Sequence, residues 1–251
     1  SEVGPQDIEA IIDRSLKRLG LDQLHLVQFF WWDLATGDVM RALDALKRAQ
    51  DKGKLRHVGV TNWDYAPIER FRAAGVDVVS AQVQYSLLDR RPEGSLVPWA
   101  GANNVQLLCY GTLAGGFLTE AWLGQSDPGF VFENRSLVKY RLIIDEFGSW
   151  ELFQDLLATL ARIGEKHGVS LSAVASRHVL DQPQVAGVIV GARYARHLDK
   201  TLQIFRFSLD DADRAAIAAV LAQARGPNGP VYGLEGDRQG RHGRIMKYDL
   251  D

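Results

Sequence analysis

Five short apolar runs, separated by segments of helical period, constrain this chain more than any other feature. The runs are Leu24–Trp31, His57–Thr61, Val78–Val83, Val105–Tyr110 and Val185–Val190. Each is apolar nearly throughout, as parallel strands covered on both faces must be. Between them the period changes from strand to helix. Asp7–Leu19 places Ile8, Ile11, Ile12, Leu16 and Leu19 on one stripe before Gly20. Val39–Asp51 repeats the pattern with Leu43, Leu46 and Ala49. Asp64 caps a helix running to Ala74, and Leu152–His167, Ser170–Asp181 and Asp210–Ala224 read as further helices. Such alternation predicts βα units in one parallel sheet or barrel. The length of 251 residues suits a (β/α)₈ barrel of about 250 residues. The strand count does not, because three strands are missing. No linker divides the segment 1–225, and a Gly- and Arg-rich tail, 226–251, follows it. The tail reads either as a flexible terminus or as an ordered flap anchored by Tyr232, Ile245, Met246 and Tyr248.

Composition removes several classes of function. Twenty-nine Lys and Arg stand against 31 Asp and Glu, a net charge of -2, so the positive excess of a general nucleic-acid binder is absent. No apolar run approaches the ~18 residues that cross a bilayer. A single cysteine, Cys109, permits no internal disulfide and fits a reducing, cytoplasmic compartment. The six histidines lack ligand-like spacing, so no metal site is expected. Cys109 reads as a buried strand residue, and Asp145 and Glu146 beside Arg141 read as a solvated helical face. The Asn134-Arg135-Ser136 sequon has no secretory signal to support it.

Chemistry is expected at the carboxyl ends of the strands, where parallel α/β proteins build their sites. The first strand ends in Phe29-Phe30-Trp31-Trp32-Asp33, either a packed rim or an aromatic wall for a flat ligand. With Trp63 these side chains form the substrate-binding candidates Phe29, Trp31, Trp32 and Trp63. The second strand ends in Thr61-Asn62, a hydroxyl and an amide able to bond an amide or carbonyl, or simply a turn. Gln82 sits inside the third strand, where an amide needs a partner. Tyr110-Gly111-Thr112-Leu113-Ala114-Gly115-Gly116 follows the fourth, and glycines there let backbone N–H groups approach an anion. Gly191-Ala192-Arg193 closes the fifth, with Arg193 near a helix start suited to phosphate.

Five stretches together resemble the aldo-keto reductase family. They are Ser15–Asp22, Gly53–Asn62, Gln82–Arg90, Tyr110–Gly116 and Val188–Arg193, in the family's order and spacing. The likeness covers nearly all of residues 5–225, and the tail with Trp31-Trp32-Asp33 is similar to a bacterial and plant subgroup. The resemblance implies a (β/α)₈ barrel that binds NADP(H) without a Rossmann motif and reduces a small-molecule carbonyl to an alcohol. It implies that Asn62 and Gln82 hold the nicotinamide carboxamide, with Thr61 beside them and Tyr110 stacked on the ring. Gly111, Thr112, Leu113 and Gly115 would line the pyrophosphate. Gly191, Arg193 and His197 would lie toward the adenosine 2′-phosphate. Thr201 stands where the family places an adenine-binding Asn.

Two departures from the family bear on catalysis. Phe30 occupies the position of the family's catalytic His, and a phenyl ring cannot share a proton. The family's catalytic Tyr, Lys and Asp belong to three βα units that precede this segment. The chain therefore reads as an N-terminally truncated reductase with about five of eight strands. The alternative is a non-catalytic nucleotide- or partner-binding relative, a pseudoenzyme, and a third reading is an inert fragment. Open barrel edges would call for an oligomer or a second chain to cover them.

Overall fold

The computed structural model describes residues 5–34, 37–191 and 195–246. Five strands form one sheet in chain order, all neighbours parallel. They are β1 (Leu24–Phe29), β2 (Leu55–Thr61), β3 (Val78–Gln84), β4 (Gln106–Tyr110) and β5 (Val185–Ile189). All five expected runs are strands, with ends one or two residues from the predicted ones. The clearest shift is in β1, which stops at Phe29, so Phe30 and Trp31 lie in the following loop. Parallel neighbours in sequential order need a crossover between each pair, which is the arc of a barrel rather than a doubly wound sheet.

The crossovers are α1 (Pro5–Leu19) before β1, α2 (Val39–Asp51), α3 (Tyr65–Ala73), and α4 (Arg91–Gly94) with α5 (Leu96–Asn103). Between β4 and β5 lie α6 (Arg135–Phe147), α7 (Trp150–His167) and α8 (Leu171–Leu180). After β5 come α9 (Leu198–Leu202), α10 (Asp211–Leu221) and α11 (Gly233–Gly236). Their starts are set by capping side chains: Asp38 accepts from the Arg41 N–H, Ser170 from Ala173, and Asp210 forms a reciprocal capping box with Asp213.

Two cores divide the molecule. The outer face of the sheet (Val58, Val60, Ala81, Val83, Leu107, Cys109) packs against Leu43, Leu46, Ile68 and Phe71. A second core, Phe117, Phe147, Phe153, Leu156 and Ile217 among others, sits under α6, α7 and α10. The other face of the sheet carries Gln28, Gly59 and Ser80 in register, and the Gln28 amide donates to Ser80 Oγ at 2.8 Å. The edge strands leave apolar side chains uncovered: Leu26 is 39% and Ile189 43% exposed.

Two expectations are corrected here. Ile11 and Leu19 are exposed, so the buried stripe of α1 is narrower than its period suggests and consists of Ile8 and Ile12 with Leu16 partly covered. Arg141 is not on a solvated face. Asp127 arrives from the preceding loop and joins Asp145 on its guanidinium, which is buried. The helix expected around Arg141 is Arg135–Phe147, with Asn134 as its cap. Residues 226–246 of the tail pack onto the body, with Val231, Glu235 and His242 buried; Tyr248 lies outside the described residues.

Candidate nucleotide site

The site begins where β2 ends. Asn62 takes a left-handed backbone conformation (φ 59°), which Asn tolerates better than most residues. Its N–H still reaches the Gln82 carbonyl at 2.9 Å, so the ladder extends one residue past the strand. The turn aims its side chain across the sheet, and Tyr110 OH donates to Asn62 Oδ1 at 2.7 Å. Register places Thr61 beside Gln82, and Gln84 beside Tyr110. The structure thus gathers Thr61, Asn62, Gln82 and Tyr110 at adjacent strand ends, as expected. Burial pushes the Tyr110 hydroxyl far above its usual range.

Two cavities lie near this bridge: Asn62 lines one and Gly111, the neighbour of Tyr110, the other, while Thr61, Gln82 and Tyr110 line neither. One, of about 690 Å³, is lined by Gly111, Thr112, Leu113, Gly115, Gly191, His197 and Thr201. All seven are nucleotide candidates from the sequence. Arg193 lies outside the described residues. Gly111, Gly115 and Gly116 have φ of 71°, 67° and 104°, conformations L side chains rarely adopt. A Cβ on Gly115 would also stand 2.6 Å from the Tyr140 ring, and one on Gly111 would strike the Tyr140 hydroxyl. Thr112 is buried and bonds Ser176 of α8 at 3.3 Å, fixing the turn to the helix behind it. Tyr140, Ser176 and Lys200 also line this cavity, and sequence reasoning misses them because each comes from a helix with no strand-end signature.

The second cavity, about 670 Å³, is lined by Trp31, Trp32, Asn62, Trp63, Tyr232 and Arg238 among others. Three of the four substrate candidates therefore face it. Phe29 does not: it is buried beneath, stacked on Trp31 and edge-on to Trp63. Phe30 is outside it too, 43% exposed with its ring edge-on to Trp32. Both readings of the aromatic run hold in part, since some rings are rim packing and others are cavity wall.

A buried ionic cluster joins the tail to this site and has no signature in the sequence. Arg91 donates to Asp89 Oδ1 at 2.8 Å and to Glu235 Oε2 at 2.9 Å, and all three are buried. The Gln84 amide donates to Asp89 at 2.6 Å, which leaves its buried Oε1 without a partner among the described residues. Lys139 stands 3.5 Å from Glu235. Its ammonium also lies 5.5–5.8 Å from the ring centres of Tyr110, Tyr140 and Tyr232. Burial would raise the Glu235 carboxyl, but the Arg91 hydrogen bonds and charge prevail and hold it at about 2. Burial lowers the Lys139 ammonium, against the pull of Glu235 and Asp89. Glu235 is 144 residues from Arg91, a separation no motif bridges.

With this geometry in place, comparison with known proteins decides the family. The aldo/keto reductase family model matches residues 1–222. The chain belongs to the aldo/keto reductase family. The aldo-keto reductase YhdN of Bacillus subtilis is 28% identical over 88% of the chain, which spans 65% of that protein. The Schizosaccharomyces pombe aldo-keto reductase yakc [NADP(+)] is 28% identical over 83% of the chain, here 60% of the relative's length. A glycerol dehydrogenase from Gluconobacter oxydans superposes with a TM-score of 0.76 at 27% identity, covering 91% of this chain and 68% of its own. The five-stranded arc is thus the arrangement of consecutive strands in a (β/α)₈ barrel, and the family is one of oxidoreductases. Among the described residues, no helix is long and apolar enough to cross a membrane, and no group of three or more potential metal ligands occurs.

Proposed function

We propose that this chain forms the nucleotide-binding part of an NADP(H)-dependent reductase that converts a carbonyl to an alcohol. The observation that carries the reading is the glycine turn directly after Tyr110, whose residues line a cavity with positive-φ backbone, beside the bond between Tyr110 and Asn62. The residues present fit a nicotinamide dinucleotide. The Gly111–Gly116 turn lines the cavity with positive-φ glycines that carry no side chain of their own, which suits a pyrophosphate. His197, Lys200 and Thr201 line the same cavity and supply donors for a 2′-phosphate. Tyr110 offers a ring face, and Asn62 and Gln82 offer amides for a carboxamide. When bound, the nucleotide supplies hydride; the residues of the chain orient it and exclude water. The fission-yeast relative, named for NADP(+), agrees with this choice of nucleotide.

The substrate reading rests on Trp31, Trp32, Trp63 and Tyr232, whose rings favour an apolar or aromatic carbonyl compound. Phe30 favours a second reading, in which the chain binds nucleotide without turning it over. Its exposed phenyl ring cannot give or take a proton where the family uses His. The exposed Leu26 and Ile189 on the two edge strands support a partner surface there, from an oligomer or a second chain. NADPH titration, followed by tryptophan quenching, tests the proposal. Saturable micromolar binding, about -8 kcal/mol, is expected. A folded chain that does not bind would overturn it. Carbonyl-dependent oxidation of the bound nucleotide separates the reductase from the non-catalytic reading.

A further inference from the structure

We propose that the ionic cluster of Lys139, Glu235, Arg91 and Asp89 sets the preference of the site between reduced and oxidised nucleotide, with Lys139 disfavouring the oxidised form. This inference rests on the nucleotide reading above. The two redox forms differ in one property at the ring: oxidised nicotinamide carries a positive charge and reduced nicotinamide does not. A buried charge near the ring therefore acts on one form and leaves the other nearly untouched.

Two facts put such a charge there. The Lys139 ammonium lies 5.8 Å from the centre of the Tyr110 ring. Its side chain is only 12% exposed, so water screens it poorly. The four formal charges of the cluster cancel: Lys139 and Arg91 against Asp89 and Glu235. Lys139 is the charged member placed over Tyr110, the ring proposed to carry the nicotinamide. A ring stacked on Tyr110 would have its centre about 4.5–7 Å from the centre of the Tyr110 ring. The ammonium then stands within about 13 Å of the nicotinamide. At an effective dielectric of about 20, a unit charge at that distance changes affinity about tenfold. Glu235, 3.5 Å from Lys139, offsets most of this in the native protein.

Neutrality of the cluster gives the test its sign. Lys139→Met removes one positive charge and leaves an uncompensated carboxylate; Glu235→Gln leaves an uncompensated cation. Affinities for NADPH and NADP⁺ are measured by tryptophan quenching for the native chain and both variants. Because Glu235 lies 3.5 Å from the ammonium and offsets most of its charge, the native chain is expected to bind NADPH about twofold tighter. Lys139→Met should move that ratio toward NADP⁺ and Glu235→Gln toward NADPH, each by about three- to tenfold. Lys139→Arg, which keeps the charge, should leave it unchanged. A purely structural role would weaken both forms together, and an unchanged ratio, or shifts in one direction for both variants, would overturn the proposal. Either variant decides alone if the other fails to fold, and equal native affinities overturn it without any variant. A native chain that is folded but binds neither form would instead overturn the nucleotide reading itself.

Discussion

The carboxyl end of β4 and the carboxyl end of β1 lie at the same end of the parallel sheet but are built on opposite rules. At β4 every element is fixed from behind. Two glycines with positive φ, Gly111 and Gly115, are backed by Tyr140, Thr112 is bonded to α8, and Tyr110 is held by Asn62. Beneath them lies a buried ionic cluster. At β1 the strand stops early, and the loop offers rings stacked edge to face, one of them half in solvent. A rigid end suits a ligand that never varies, such as a nucleotide. A loosely packed aromatic rim suits ligands that differ. Within one family, the first end is therefore expected to keep its residues and the second to change them.

The largest effect should come from breaking the rigid end. Arg91→Met leaves Asp89 and Glu235 buried with no guanidinium between them, and should cost about 3–5 kcal/mol by denaturant unfolding. A loss below about 1 kcal/mol would mean the cluster is not what holds the tail. A related effect follows from pH. The folded Glu235 carboxyl titrates at about 2 and its unfolded counterpart at 4.5. A depressed carboxylate stabilises the fold above the unfolded value, and that stability disappears as pH falls from 4.5 through 2. About 3 kcal/mol should be lost over this window, and Glu235→Gln should flatten that part of the curve. A smaller effect is confined to the site. Gly111→Ala forces a side chain into a left-handed conformation and against Tyr140, costing about 1–2 kcal/mol. NADPH affinity should fall about tenfold while the chain stays folded by circular dichroism.

How far each end can be read from sequence follows from the same contrast. The strands are legible because their runs are short and apolar, although β1 and β5 leave several residues exposed. Gly111 and Gly115 are legible because only glycine takes those dihedral angles without strain, and Asn62 because it stands at a strand tip. The ionic cluster is not legible. Asp89 and Arg91 look like any charged turn after a strand, and their burial depends on Glu235 arriving from the tail. Arg141 misleads for the same reason, since Asp127 reaches it from a loop 14 residues away. Period reports which residues are apolar on one face, but it cannot report what a distant segment lays over a charge. The rim is half legible: four aromatics in a row announce a purpose, yet only the fold separates Phe29, which is packed, from Trp31 and Trp32, which line a cavity.

The smallest expected effect belongs to Phe30, and it sharpens the contrast most. Trp32→Ala removes a cavity wall and the edge-to-face contacts with Phe30 and Tyr232, so about 1 kcal/mol of stability should go with it. Phe30→His should do less. The ring is 43% exposed and lies outside both cavities, so imidazole can replace phenyl without opening a void. Unfolding free energy should stay within about 0.5 kcal/mol of the native value, and NADPH affinity should not change. If the Phe30→His variant then oxidises NADPH faster in the presence of a carbonyl, the native residue was limiting proton transfer at an otherwise intact site. A stability loss above about 2 kcal/mol would show that the β1 end is packed as tightly as the β4 end. The division between a fixed nucleotide end and a permissive rim would then have to be abandoned.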